Sequence, residues 1–189
     1  MDQLPATFST AGTLPAGDYS MTLAMLRESI LVLGPGEPKQ FPTWDASWRA
    51  TLVDNLEILS RQLWAVGIDR IFVNGSFVED KDRPNDIDGY FEVDPIAFPV
   101  SRLRHELNLL DEHKVWTWDR AARRPYSGSK LQLPMWHVYR VELYPHYPGL
   151  VAGRDKFGNG LEFPAFFRQR RIDGSQKGIV ELIPDNVKE

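Results

Sequence analysis

Apolar positions recur at helical spacing in the segment that follows Trp44. They are separated by steps of four, four, three and four residues: Trp48, Leu52, Leu56, Leu59 and Leu63. This spacing places side chains on one face of an α-helix. Asp45 or Ser47 is suited to cap the start of the helix, and Gly67 is suited to end it. A second stripe, Leu103, Leu107 and Leu110, predicts an amphipathic helix over residues 101–114.

Other segments have the short, β-branched or alternating character of strands. Residues 69–74 predict a strand that ends at a tight Gly75-Ser76 turn. In residues 86–93 the two-residue period predicts an acidic face with Asp86, Asp88 and Glu92, opposite an apolar face. Residues 135–144 predict a third strand, with Glu142 near its carboxyl end and on the same face as Val138 and Arg140. Residues 178–183 predict a closing strand.

Together these elements predict an α/β (α+β) protein with a mixed β-sheet of four or five strands and helices packed mainly on one side. Residues 1–42 are rich in Pro and Gly and predict a partly helical N-terminal arm. Residues 43–189 then form a single domain. Residues 118–134 are predicted to be mostly loop, and Pro164 suits the first turn of a short helix that runs to Arg170.

Composition and charge exclude several kinds of site and partner. The 189 residues carry a net charge of -4 and no cysteine, which excludes a disulfide framework and a thiolate zinc site. We expect a cytoplasmic protein, because the chain lacks a signal-like start and a membrane-spanning apolar run. The acidic balance argues against binding to extended duplex DNA, although local basic clusters remain compatible with an anionic substrate.

The chemistry is concentrated between Gly75 and Gly89, where a strand, a Gly-Ser turn and an Asp-x-Asp strand follow one another. Glycine at position 75 allows close approach of a ligand to the backbone, and Ser76 offers a hydroxyl and free amides to a phosphate. Asp86 and Asp88 project to the same side of a strand, where they repel each other unless a cation lies between them. The oxygen atoms of such a pair are suited to bind a hard divalent metal ion.

Three other phosphate or metal templates do not fit. An EF-hand with Gly89 at its sixth position would put Pro84 and Pro95 at ligand positions. A P-loop needs a Gly-Lys dipeptide, which is absent, and the dinucleotide fingerprint that begins at Gly34 has Lys39 in place of its third glycine.

The Gly75 to Gly89 stretch resembles the motif of the nucleotidyltransferase superfamily that includes DNA polymerase beta. That motif is an apolar strand, Gly-Gly or Gly-Ser, about ten residues, and then Asp-x-Asp or Asp-x-Glu. The sequence is most similar to small bacterial members of the superfamily. These include minimal nucleotidyltransferases encoded beside toxin genes. The resemblance covers residues 69–93 closely and extends weakly to about residue 145.

The resemblance implies a two-metal transferase that moves NMP from an NTP to a hydroxyl of a protein or RNA acceptor. It implies Mg²⁺ or Mn²⁺ as the cofactor, with Asp86, Asp88 and Glu142 as catalytic metal ligands. Glu92 and Glu106 are the substitutes for the third ligand. Gly75 and Ser76 would bind the nucleotide, and the resemblance also implies a cognate toxin-like partner.

Several assignments stay open at the level of sequence. Lys81 and Arg83 either neutralise the triphosphate or are solvated loop charges. Basic residues in two clusters either form a patch for a triphosphate or RNA end or are solvated: Arg168, Arg170, Arg171 and Lys177, with Arg120, Arg123, Arg124 and Lys130. The alternative function is a catalytically weak or inactive module of the same fold that acts as an antitoxin or recognises a partner.

Overall fold

A computed structural model describes residues 4–36, 39 and 41–185. In chain order the helices are α1 (Leu23–Arg27), α2 (Ile30–Leu33), α3 (Ala46–Ala65), α4 (Val100–Leu110), α5 (Pro134–Tyr139) and α6 (Phe163–Phe167). The strands are β1 (Asp18–Met21), β2 (Ile71–Asn74), β3 (Ile87–Glu92), β4 (Arg124–Ser127), β5 (Lys130–Gln132), β6 (Val141–His146), β7 (Val151–Arg154), β8 (Gly160–Glu162) and β9 (Ile179–Leu182). The fold is therefore mixed α and β.

The central sheet has five strands in the order β1-β9-β2-β3-β6. β1 is parallel to β9, β9 and β3 are both antiparallel to β2, and β6 is parallel to β3. The parallel β3–β6 pair needs a crossover, which α4 supplies between the two strands. The predicted mixed sheet is confirmed, and β3 lies beside the β6 edge.

Alternation along the strands gives the sheet two different faces. One face packs on the main core, which includes Ile71, Phe91 and Leu143 from the strands. Helices α1 to α5 all contribute buried residues to that core. The second face carries Phe72 and Tyr90, which pack against α6.

Local signals explain the longest helix. The Asp45 side chain accepts a hydrogen bond of 2.9 Å from the Trp48 amide, which caps the start of α3. The helix ends before Gly67, whose φ of +83° is the left-handed conformation expected just after a helix. Both predicted helix signals are confirmed. The α4 helix ends at Leu110, four residues before the predicted end.

The predicted strand over residues 135–144 is wrong in its first half. Residues Pro134–Tyr139 form α5, and only Val141–His146 form β6. Proline at the first position of α5 favours a helix start, and Arg140 leaves the helix with a φ of +55°. Val138 and Arg140 therefore do not share a strand face with Glu142, and Glu142 lies near the amino end of β6.

Two regions contain more regular structure than the sequence suggests. The segment predicted as loop, residues 118–134, includes the antiparallel β4–β5 pair. Residues predicted as an N-terminal arm supply β1 to the sheet and buried side chains such as Leu14 and Leu26 to the main core. Met1, Asp2, Gln3, Glu37, Pro38 and Gln40 of that arm lie outside the described residues. The short helix predicted from Pro164 to Arg170 is present as α6, which ends three residues earlier at Phe167, and the closing strand is confirmed as β9.

None of the helices in the described part of the chain has the combined length and apolar character that a membrane span requires.

Candidate functional site

The Gly75-Ser76 turn lies directly against Asp88. Gly75 opens a 3₁₀ turn, Gly75–Val78, between β2 and the loop to β3. Its φ is +74°, and a Cβ atom built there would lie 2.6 Å from Asp88 Oδ2. Side chains larger than hydrogen would clash with the carboxylate and adopt a strained backbone. Gly75 therefore lies close to the acidic strand in space as well as in the sequence.

Asn74 fixes the start of the turn. It is buried, and its Oδ1 accepts a hydrogen bond of 2.8 Å from the Gly75 amide. Its Nδ2 donates to the Gly178 carbonyl at 2.9 Å, which ties the end of β2 to the residue before β9. The neighbouring Ser76 is half-buried, and its hydroxyl forms no hydrogen bond with another described residue.

The three predicted acids lie close together, with Asp88 on β3, Glu142 on β6 and Asp86 just before the start of β3. Asp88 and Glu142 are partners in the parallel register of β3 and β6, and Asp86 lies two residues before Asp88. Asp88 is half-buried, and its carboxylate accepts no hydrogen bond from any described residue. Burial, together with the nearby charges of Asp86 and Glu142, raises the pKa of Asp88 to about 7.

Glu142 differs from the two aspartates because protein donors engage both of its oxygens. Oε1 accepts a hydrogen bond of 2.6 Å from the Leu133 amide, and Oε2 accepts one from the Tyr144 hydroxyl. Arg123 lies 3.8 Å from Oε1 and donates to the Tyr144 hydroxyl at 2.8 Å. Burial and the Glu142 charge raise the pKa of Tyr144 far above its ordinary value, so Tyr144 remains a donor.

Asp86 is oriented by α5. Trp136, which is 1% exposed, donates from Nε1 to Asp86 Oδ2 at 2.6 Å. Only one of the two Asp86 oxygens is engaged in this way. No pattern in the sequence pairs these two residues, because the indole lies on a segment predicted to be a strand.

The donor set has the chemistry that Mg²⁺ or Mn²⁺ requires. Asp88 and one oxygen of Asp86 are hard oxygen ligands without a protein donor, and Mg²⁺ is commonly held by one or two carboxylates together with waters and substrate phosphates. In the described part of the chain, no group of three or more Asp, Glu, His or Cys side chains has the geometry to hold a metal ion. The two aspartates fit the ion, whereas Glu142 would have to exchange a protein donor to join them.

The loop between the Gly-Ser turn and β3 is held by a residue that the sequence analysis missed. Arg49 of α3 is fully buried and donates to the carbonyls of Leu31, Phe77, Glu79 and Lys81 at 2.6 to 3.1 Å. Burial lowers the pKa of Arg49 to about 9, which leaves it charged at neutral pH. Only one signal in the sequence could have identified Arg49. The helical periodicity places this arginine among the core positions of α3.

The two loop cations predicted to meet a triphosphate lie in different surroundings. Arg83 forms an ion pair with Asp45 at the start of α3, and its guanidinium stacks over the Trp48 ring at 4.3 Å. The Lys81 side chain is exposed, while its carbonyl accepts from Arg49. Among the substitute acids, Glu92 pairs with Arg70 and Glu106 with Arg102.

Comparison with known proteins places the chain within one family. A family described as "Family of unknown function (DUF6932)" matches residues 6–183, which is nearly the whole chain. No curated protein and no solved structure matches it.

Proposed function

We propose that this chain, which belongs to the DUF6932 family, is a metal-dependent nucleotidyltransferase of the cytoplasm. It would transfer NMP from an NTP to a hydroxyl of a protein or RNA acceptor. Because the description of the family names no function, the proposal rests on the site and on the resemblance of the Gly75 to Gly89 stretch to nucleotidyltransferases.

The observation that carries the proposal is the environment of Asp88. Its half-buried carboxylate has no hydrogen-bond donor in the described part of the chain, yet it lies between Asp86 and Glu142 and against a glycine. A purely structural acid in such a place would normally be hydrogen-bonded or paired. A divalent cation would neutralise this concentration of negative charge.

Asp86 and Asp88 would hold the metal ion in this proposal. Metal binding there would supply positive charge to the NTP phosphates and lower the pKa of the acceptor hydroxyl. Trp136 and Gly75 have defined tasks: the indole orients Asp86, and the glycine leaves room beside Asp88. Glu142 would contribute a fixed negative charge next to Asp88 and is the predicted third ligand.

The transfer balances without a further reactant. The acceptor oxygen forms a bond to the α-phosphorus, and the bond from that phosphorus to the bridging oxygen breaks. Pyrophosphate leaves with the electron pair of the broken bond, and the hydroxyl proton passes to water.

The test compares NTPs labelled at the α- and γ-phosphates. Purified protein is incubated with each label, Mg²⁺ or Mn²⁺, and a heat-inactivated cell lysate that contains RNA and protein but no active kinase or polymerase. We expect α-label and no γ-label on macromolecules, and we expect Asp88→Asn to reduce the labelling by about a hundredfold or more. Glu92→Gln is the matched control, since Glu92 lies on the same strand face and pairs with Arg70.

The proposal fails if the wild-type protein transfers no α-label with either metal, or if Asp88→Asn labels as well as the wild type. Transfer of γ-label would indicate a phosphotransferase instead.

The alternative, a nucleotide-binding module that acts as an antitoxin or recognises a partner, is favoured by one observation. Protein donors engage both oxygens of Glu142, as expected of a structural acid. NTP binding by equilibrium dialysis without transfer of label would support this module. Labelling that falls when Glu142→Gln is introduced would exclude it.

A further inference from the structure

Residues 168–177, called here the basic segment, form a closed loop between α6 and β9. Backbone hydrogen bonds of 2.9 Å join Arg170 to Ser175, Gly174 to Arg170, and Lys177 to Arg168. An isolated bridge also pairs Gln169 with Gln176. The segment therefore has a defined shape, although much of it is exposed.

Lys177 attaches the basic segment to the turn beside Asp88. Its ammonium group, 5% exposed, donates to the Gly75 carbonyl at 3.0 Å and to Glu79 at 2.8 Å. A buried ammonium needs such partners, because an unpaired charge in the interior is costly. These contacts bring the segment to the same glycine that lies against Asp88.

The arginines of the basic segment differ in how their charge is used. Arg168 pairs with Asp18 at 2.6 Å, and Arg170 lies 3.6 Å from Asp173 and 3.7 Å from Glu79. Arg171 is exposed and forms no ion pair with any residue that the structure describes. Its guanidinium lies 5.6 Å from the centre of the Phe166 ring. Arg171 is thus the arginine of the segment with an uncommitted charge.

Contacts of its neighbours place Arg171 beside the turn. The adjacent Arg170 lies 3.7 Å from Glu79, the same side chain that Lys177 contacts. The positive charge of Arg171 opposes the rise in the pKa of Asp88 and contributes to lowering the pKa of Lys177, which agrees with this position. Arg83, by contrast, forms an ion pair with Asp45 at the start of α3.

We propose that Arg171 is the residue that binds the β- and γ-phosphates of the nucleotide, with the basic segment as the phosphate side of the site. The inference rests on the proposed function. A guanidinium group binds phosphate oxygens through two parallel hydrogen bonds, which suits a residue whose donors are not already paired. The aspartate pair would hold the metal ion that supplies positive charge to the same triphosphate.

Equilibrium titration distinguishes a triphosphate contact from a general loss of binding. The probes are the four α,β-methylene NTPs and the four NMPs, each with Mg²⁺. We expect Arg171→Met to weaken binding of the tightest triphosphate by about tenfold to a hundredfold. Binding of the matching NMP should change little, and Arg171→Lys should lie between Arg171→Met and the wild type. Arg104→Met, at an exposed position on α4, is the charge-matched control and should bind like the wild type.

The outcomes separate this inference from the proposed function. If the wild-type protein binds triphosphate and transfers label while Arg171→Met binds triphosphate equally well, the role of Arg171 is refuted and the transferase proposal stands. Equal losses for triphosphate and NMP would also refute it. If the wild-type protein binds no triphosphate and transfers no label, both proposals fail.

Discussion

At the scale of single residues, Asp88 and Gly75 form the most constrained pair in the site. The carboxylate oxygen Oδ2 lies only 2.6 Å from the position of a Cβ on residue 75, and burial beside Asp86 and Glu142 raises the pKa of Asp88 to about 7. An acid is normally placed in such surroundings at a cost in stability. We expect this cost to be measurable, because it depends on protonation.

The contribution of Asp88 to the free energy of unfolding should fall as pH rises from about 4 to about 7. In this range the unfolded chain has released the Asp88 proton, whereas the folded chain retains it, since burial, Asp86 and Glu142 outweigh Arg171 and Lys177. The loss attributable to Asp88 is on the order of 1–4 kcal/mol. Urea unfolding at several pH values measures it.

In Asp88→Asn the component of the pH dependence due to residue 88 should disappear, and Mg²⁺ should stabilise the wild type more at pH 8 than at pH 5. Glu92→Gln should keep the wild-type profile. A profile for Asp88→Asn identical to that of the wild type would contradict the raised pKa.

Gly75→Ala should destabilise the protein by about 1 kcal/mol more than Gly158→Ala. Both glycines have positive φ, +74° and +88°, so both variants suffer backbone strain. A Cβ on residue 158 meets nothing within 4 Å, whereas one on residue 75 meets Asp88. Thermal and urea unfolding of the two variants isolate the contact. Equal losses would show that the glycine serves the backbone alone.

At the scale of elements, α3 does more than cover the sheet. Through Arg49 it holds α2 by the Leu31 carbonyl and the loop before β3 by three further carbonyls. Trp48 adds a hydrogen bond of 2.6 Å to the Pro84 carbonyl. These contacts therefore fix the position of the Gly-Ser turn relative to the aspartates, which lie further along the chain.

Arg49→Met should cost about 3–5 kcal/mol, because it leaves buried carbonyls without donors. It should also expose the loop, so that trypsin cleaves after Lys81 faster than in the wild type. Arg104→Met serves as the exposed control and should stay within about 0.5 kcal/mol. Unchanged cleavage in a destabilised Arg49→Met would show that the loop is held by other contacts.

At the scale of the whole molecule, the two ends of the chain meet in one sheet. β9 lies between β1 and β2, so strands from both ends are needed to complete the hydrogen-bonded order. The Gly178 amide also donates to the Leu14 carbonyl at 2.9 Å. We therefore expect the two ends to unfold together.

Leu14→Ala and Leu182→Ala should each lower the free energy of unfolding by about 2–5 kcal/mol, since both side chains are fully buried. Each variant should shift one cooperative transition that far-UV circular dichroism and tryptophan fluorescence report identically. Leu33→Ala, at a position 55% exposed, is the control for the N-terminal segment. Two separate transitions in Leu14→Ala would instead identify residues 1–42 as an independent arm.

The sequence by itself determined the features that depend on neighbours along the chain. The caps of α3, the strand before Gly75 and the placement of Asp86 and Asp88 on one side of a strand all follow from local spacing and turn chemistry. The α5 helix was missed because a short apolar segment satisfies both periods, and only its packing decides between them.

The tertiary structure alone decided which distant groups meet. Register with β6 brought Glu142 beside Asp88, and the return of the chain brought Lys177 to Gly75 and Arg49 to the loop carbonyls. Such contacts join residues 28 to 102 positions apart, so no local pattern encodes them. These contacts form because polar groups that are buried when the core closes must be hydrogen-bonded or paired.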